Sequence, residues 1–135
     1  MNPYLLDTQI VSYIYNKHPF ADLYSEFLVP KNLLFVALQS KAEVILGSKH
    51  RNWGPQRAND LLMSLNHDYR VVLPTDETGA IWADLMSISR KQGREFSVQD
   101  AWVAATAVSF ELPLITHDND FLEYPGLKII RKGGK

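Results

Sequence analysis

The stretch LLFVALQSKAEVILGSKH, residues 33 to 50, decides the architecture. Five apolar residues in succession, Leu33 to Ala37, leave no polar face for a half-exposed strand to turn to water. From residue 40 to 49 the period changes, and Ala42, Val44, Ile45 and Leu46 supply the apolar side of a helix. A strand buried on both faces and followed at once by a helix is the unit from which parallel sheets are built.

The unit recurs along the chain. Residues 4–7, 70–73, 113–116 and 127–130 read as further strands. Helical spacing is expected over residues 8–17, 20–28, 57–65, about 75–93 and 97–110, with Pro19, Pro30, Pro55 and Pro74 as punctuation. The fold expected is α/β, a three-layer α/β/α sandwich around a mainly parallel sheet of about five strands. One domain should occupy residues 1–135, with 131–135 a flexible basic tail.

Composition narrows the function. Hydrophobic residues at 46% and charged residues at 21% describe a globular chain with its own core. The absence of cysteine excludes disulfides and thiolate metal sites and suits a reducing cytoplasm. The start MNPYLLD has no secretory-signal pattern, and the longest uncharged apolar stretch, residues 101–110, falls short of the roughly 20 residues that cross a bilayer, so no membrane role is expected. A net charge of −1 does not announce a nucleic-acid binder, although acids gathered around bound cations would leave the basic residues to face a polyanion.

The acids are therefore the informative residues. Asp7 ends the first strand and Asp118 lies just past the fourth. Glu43 is expected in the first turn of the helix after the second strand, and Asp100 in the first turn of the helix opened by Ser97. Open parallel sheets bind ligands outside the carboxyl ends of their strands, so these four carboxylates can meet at one rim. Each has a plainer role open to it: Asp7 as a helix cap, Asp100 as a partner of a helix dipole, Asp118 and Asp120 as turn residues. Glu43, among Ala42, Val44 and Ile45, is harder to place without a polar partner. Gathered carboxylates repel unless a cation sits among them, and an all-oxygen donor set is what Mg²⁺ or Mn²⁺ selects.

YLLDTQI, SKAEVILG and GREFSVQDAWVAATAVSFELPLITHDNDF together resemble the PIN-domain nucleases, and among them the VapC-type toxins of bacterial toxin–antitoxin pairs. The matching positions are Asp7-Thr8, then Ser40 with Glu43 and Gly47, then Asp100 with Val103, Ala104, Ala105 and Ala107, then Leu114 to Phe121. Gln9 departs from the family's usual Asn, and Ile45 stands where a basic residue is frequent. The resemblance implies a Mg²⁺- or Mn²⁺-dependent endoribonuclease that leaves 5′-phosphate and 3′-hydroxyl ends. It implies metal held by Asp7, Asp100, Asp118 and Glu43, with Thr8, Thr116 and Ser40 orienting carboxylates or binding phosphate, and Gln9, Asp120 and Arg94 as lesser candidates. It implies an RNA substrate, a cognate antitoxin, and a homodimer or toxin–antitoxin hetero-oligomer in the cytoplasm.

Two alternatives stand beside it: a catalytically weak PIN-fold RNA-binding or regulatory protein, and a phosphoryl-transfer domain of phosphatase or receiver type. The second wants Asp-x-Asp, or adjacent acids before the end of the first strand, and Asp7-Thr8-Gln9 offers neither. His117 is expected as a surface histidine, Trp102 as a core residue, and Trp53 and Trp82 as packing or interface residues. Lys91 and Arg94 are read as a solvated cationic face within reach of phosphates.

Overall fold

The computed structural model describes residues 2–133. Five parallel strands, β1 (Pro3–Leu6), β2 (Leu33–Ala37), β3 (Arg70–Val72), β4 (Leu114–Ile115) and β5 (Ile129–Ile130), form one sheet in the order β3-β2-β1-β4-β5. The helices are α1 (Thr8–Tyr15), α2 (Leu38–His50), α3 (Pro55–Asp68), α4 (Asp76–Gln92) and α5 (Val98–Ser109).

Strand alternation divides the core in two. Leu5, Phe35, Val72 and Leu114 point to one face and pack with Leu85 of α4 and Ala101, Ala104 and Ala105 of α5. Leu6, Val36, Val71 and Ile115 point to the other, against Ile10 and Val11 of α1, Val44 and Ile45 of α2, and Leu61 and Leu65 of α3. Continuous apolar strands are thus used on both sides, which makes the expected three-layer sandwich. The small residues of α5 are buried nearly all round, which lets α4 pack closely on it.

Two expectations are corrected. Residues 20–28 do not form an α-helix; Pro19–Tyr24 is a tight 3-10 turn begun by Pro19, and only Tyr24 of it is buried. Phe20 and Leu23 stay exposed, so this segment lacks the continuous apolar face that would support a longer helix. Helix α2 starts at Leu38, two residues early, which moves Glu43 from the first turn to the second and leaves Ala42 and Leu46 exposed while Val44 and Ile45 pack inward. Of the basic segment 131–135, residues 131–133 are described, and there the Lys132 backbone N–H donates to the Tyr24 hydroxyl at 3.2 Å while its Nζ lies 2.9 Å from Glu26. Gly134 and Lys135 lie outside the described residues.

The strand order carries the main consequence. From β1 the chain steps outward to β2 and β3, then returns to the opposite side of β1 for β4 and β5. The order reverses between β1 and β4, and in open parallel sheets ligands bind at such a switch point, outside the strands' carboxyl ends. No described helix is long and apolar enough to cross a membrane.

Leu5, fully buried on central β1, is expected to cost about 3 kcal/mol when replaced by Ala. Replacement of exposed Leu73 should stay within about 0.5 kcal/mol. Urea denaturation midpoints of the two variants check this pair.

Candidate active site at the sheet switch point

Asp7 follows the last residue of β1, its backbone extended and its N–H bonded to the Ile115 carbonyl of β4 at 2.9 Å. Its side chain is only 4% exposed and has two partners. Oδ1 accepts from the Thr8 backbone N–H at 2.8 Å, which caps α1, and Oδ2 accepts from the Thr116 hydroxyl at 2.7 Å. The capping role and the site role are therefore held by one residue.

Thr116, also fully buried, joins two acids. While its hydroxyl donates to Asp7, it accepts from the Asp118 backbone N–H at 3.1 Å. Asp118 Oδ1 accepts in turn from the Asp120 N–H at 2.8 Å, so the turn after β4 is set by side chains. Thr8 donates its hydroxyl to buried Ser40 of α2 at 2.9 Å, tying the starts of two helices together. Asp100 sits in the first turn of α5, after the N-cap Ser97, whose hydroxyl accepts from the Asp100 N–H at 3.0 Å.

The electrostatics show which acids are neighbours. Burial, reinforced by Asp100 and Asp118, pushes the Asp7 carboxyl up to about 6 against the hydrogen bonds from Thr116 and Thr8 that pull it down. Asp100 is raised by burial and then by Asp118, Glu43 and Asp120, with Ser97 opposing. Asp100 thus links the acids at this edge, acting on Asp7 and being acted on by Asp118, Glu43 and Asp120, and none of them is in an ion pair among the described residues. As the side chains stand, no three of them are gathered closely enough to ligate one ion among those residues. The donor chemistry suits a hard divalent cation nonetheless: all oxygen, like-charged, and without a counter-cation. Asp7 is held by two hydrogen bonds, whereas the half-buried Glu43 side chain has no hydrogen-bond partner among the described residues.

Some expected residues do other work. Gln9 is exposed on α1. Arg94 donates to the Asp120 carbonyl at 2.9 Å and to the Phe121 carbonyl at 3.4 Å, so it buttresses the turn that carries Asp118 instead of presenting a free guanidinium. Trp102 is half-buried and stacks on Trp82 with ring centroids 5.0 Å apart. His117 is not a free surface residue, because its Nδ1 lies 2.6 Å from the buried Tyr24 hydroxyl.

The model of the PIN domain family matches residues 4–127, from β1 to just before β5, and so takes in all four acids. The chain belongs to the PIN domain family. Membership sets aside the phosphatase and receiver alternatives. Among relatives of this PIN domain, Ribonuclease VapC1 of Haemophilus influenzae strain R2866 is 28% identical over 120 residues, covering 85% of this chain and 86% of that protein. Ribonuclease VapC5 of Mycobacterium tuberculosis is 41% identical over 63 residues, 44% of this chain and 47% of its own. A chain of the VapBC-5 toxin–antitoxin structure from M. tuberculosis superposes with a TM-score of 0.70 at 26% identity, covering 97% of this chain and 99% of that one. A chain of the Rickettsia felis VapBC2 complex bound to promoter DNA shares the fold at a TM-score of 0.81, with 20% identity and 96% and 98% coverage.

Tyr24 is the PIN-domain residue that the sequence did not point to. Its hydroxyl lies 3.3 Å from the Thr116 carbonyl, bonds His117 and accepts from Lys132, joining the 3-10 turn to the segment after β4. The one available signal was a tyrosine placed three residues from Ala21 and Phe27 in an otherwise exposed segment.

The raised Asp7 carboxyl has a stability cost with a definite sign. The folded chain keeps this proton to about pH 6, whereas the unfolded chain releases it near 3.8, so stability falls between those values and the loss is complete above pH 6. The difference amounts to about 3 kcal/mol. In EDTA at pH 7.5, Asp7→Asn is expected to melt several degrees above the wild type, and the gap should close near pH 4. Thermal melts across pH measure this, and added Mg²⁺ or Mn²⁺ should raise the wild type but not the variant.

Proposed function

We propose that this PIN domain is a divalent-metal-dependent endoribonuclease, the toxin of a toxin–antitoxin pair. The observation that carries the reading is a buried, hydrogen-bonded Asp7 at the switch point, electrostatically coupled to Asp100 and Asp118, with Glu43 coupled in turn to Asp100. It stands in a chain that aligns along most of its length with Ribonuclease VapC1. A catalytically weak RNA-binding relative would have no need to keep four uncompensated acids together.

The chain's own contribution is positioning. Thr116 and the Thr8 N–H hold both Asp7 oxygens, so the carboxylate keeps one orientation. The Thr116 contact also sets the turn of Asp118, which Arg94 braces from outside through the Asp120 carbonyl. Ser40 fixes Thr8, and through it the junction between β1 and α1. A divalent cation, Mg²⁺ or Mn²⁺, held among Asp7, Asp100, Asp118 and Glu43 would activate water and neutralise charge on the phosphodiester. Without a counter-charge the same acids repel the phosphate backbone, so substrate binding and catalysis share one requirement. Products would carry 5′-phosphate and 3′-hydroxyl ends.

Relatives of this chain occur in VapBC toxin–antitoxin complexes, and the same kind of partner is proposed here, in a homodimer or toxin–antitoxin hetero-oligomer working in the cytoplasm. Leu38 and Leu46, 41% and 49% exposed on α2, offer apolar surface for such contacts.

RNA cleavage assayed with Mg²⁺, Mn²⁺ or EDTA tests the reading. Wild type should cut only with the cation, and Asp7→Asn and Asp100→Asn should lose at least about a hundredfold in rate. Thr116→Val, which removes the hydroxyl that orients Asp7, should lose about 10–100-fold. Equal cutting by wild type and the Asp variants would refute the mechanism.

A further inference from the structure

Beyond the acidic edge, a cleft of about 210 Å³ runs between α1 and α2, bounded by Thr8 and Glu43 at one end and by Asn16, Arg51 and Trp53 at the other. Glu43, Gly47 and Arg51 succeed one another at intervals of four residues, which places them on one face of α2 and its C-cap, with Arg51 about 12 Å along the axis from Glu43.

Gly47 is the anomaly of this face. It lies inside a thirteen-residue helix, where glycine weakens the helix relative to alanine. Its backbone φ is not positive, so no left-handed turn demands it. Nor does packing, because a methyl group added there would meet no protein atom within 4 Å. What the missing side chain leaves open is the floor of the cleft, midway between a carboxylate and a guanidinium.

Arg51 is exposed and makes no ion pair among the described residues. The far wall is aromatic and stiff, since Trp53 stacks on Tyr15 at 6.0 Å and carries the Arg57 guanidinium 3.7 Å from its ring centroid. Ser12 and Asn16 add hydrogen-bonding groups from α1. The cleft therefore offers a cation remote from the reacting edge, hydroxyl and amide groups between, and a surface without a side chain where a backbone must pass closely.

We propose that this cleft is the subsite for the nucleotide adjoining the cleaved phosphodiester, with Arg51 binding the neighbouring phosphate and Gly47 leaving room for the sugar–phosphate backbone. This rests on the endoribonuclease reading and adds to it where the strand runs. Charge favours RNA over a peptide: the Arg51 guanidinium, with that of Arg57 beyond it on Trp53, matches a polyanion whose next phosphate lies at the acidic end, where the divalent cation is expected. The lining also interleaves Thr8, Ser12, Asn16, Ser48 and Arg51 with its apolar surface, so hydrogen-bonding groups run the length of the cleft, as a sugar–phosphate backbone requires.

Gly47→Ala separates this from a purely structural role, because the two make opposite forecasts. In the Asp7→Asn background, the affinity for a short unstructured oligoribonucleotide is read by fluorescence anisotropy across a salt series, beside thermal melts and wild-type cleavage kinetics. Gly47→Ala should melt roughly 2–6 °C higher yet bind RNA at least about fivefold more weakly, with the loss appearing in KM. Arg51→Ala should weaken binding about tenfold and lower the slope of log affinity against log salt by about one, while Lys31→Ala, an exposed cation at the other end of the sheet, should not. Wild-type RNA affinity and KM in Gly47→Ala, or an unchanged salt slope in Arg51→Ala, would overturn the subsite. So would loss of antitoxin binding alone with RNA affinity intact, which would give the cleft to the protein partner. Ordered losses of RNA affinity in a wild type that cuts nothing would uphold the cleft and refute the nuclease reading instead.

Discussion

The hydrogen bond from the Thr116 hydroxyl to Asp7, 2.7 Å long and buried, closes the seam on which the site depends. It joins the ends of two adjacent parallel strands that lie 109 residues apart in sequence. The Asp7 backbone N–H reinforces it by pairing with Ile115, and the Thr116 N–H pairs onward with Ile130, so three strands converge on one carboxylate. A charged group held so far from water is unfavourable on its own, as the upward push on its titration shows. The sheet tolerates it because two donors are already aimed at its oxygens.

Much of this was legible in the residues. Strands of unbroken apolar sequence such as Leu33 to Ala37 can only be buried on both faces, and alternation with helices then leaves parallel pairing as the consistent solution. Placing Asp7, Asp100 and Asp118 at one edge followed from that geometry, and the hydroxyl of Thr116 turned out to contact Asp7 itself. The errors share a cause. The segment 20–28 has helical spacing, but its burial is decided by the one contact network of Tyr24, which no local pattern encodes. The start of α2 was misplaced because Leu38 continues the apolar run of β2 and Ala37 offers no side-chain cap to mark the boundary. Arg94 was read by its charge, whereas its partners are two carbonyls that only the folded turn brings near.

Local order and electrostatic need pull apart at this edge. Helix α4 ends on Gly93 in the left-handed conformation, and α5 opens on the Ser97 hydroxyl, so each boundary is satisfied by the residue that best suits it. At the switch point the same chain gathers like charges that no described cation neutralises. Well-satisfied helix boundaries beside an uncompensated cluster of acids mark that cluster as a place where stability has yielded to another requirement.

The strand order also sets a rule of timing. Synthesis delivers β1, β2 and β3 first, and the innermost strand waits for its second neighbour until residues 114–115 emerge. A nascent or prematurely terminated chain that stops earlier lacks the Thr116 hydroxyl, the Asp118 turn and the covering of Leu5 and Leu6 by β4. The acidic edge is thus completed late, from Asp7 and from Thr116 and Asp118 more than a hundred residues further along the polypeptide.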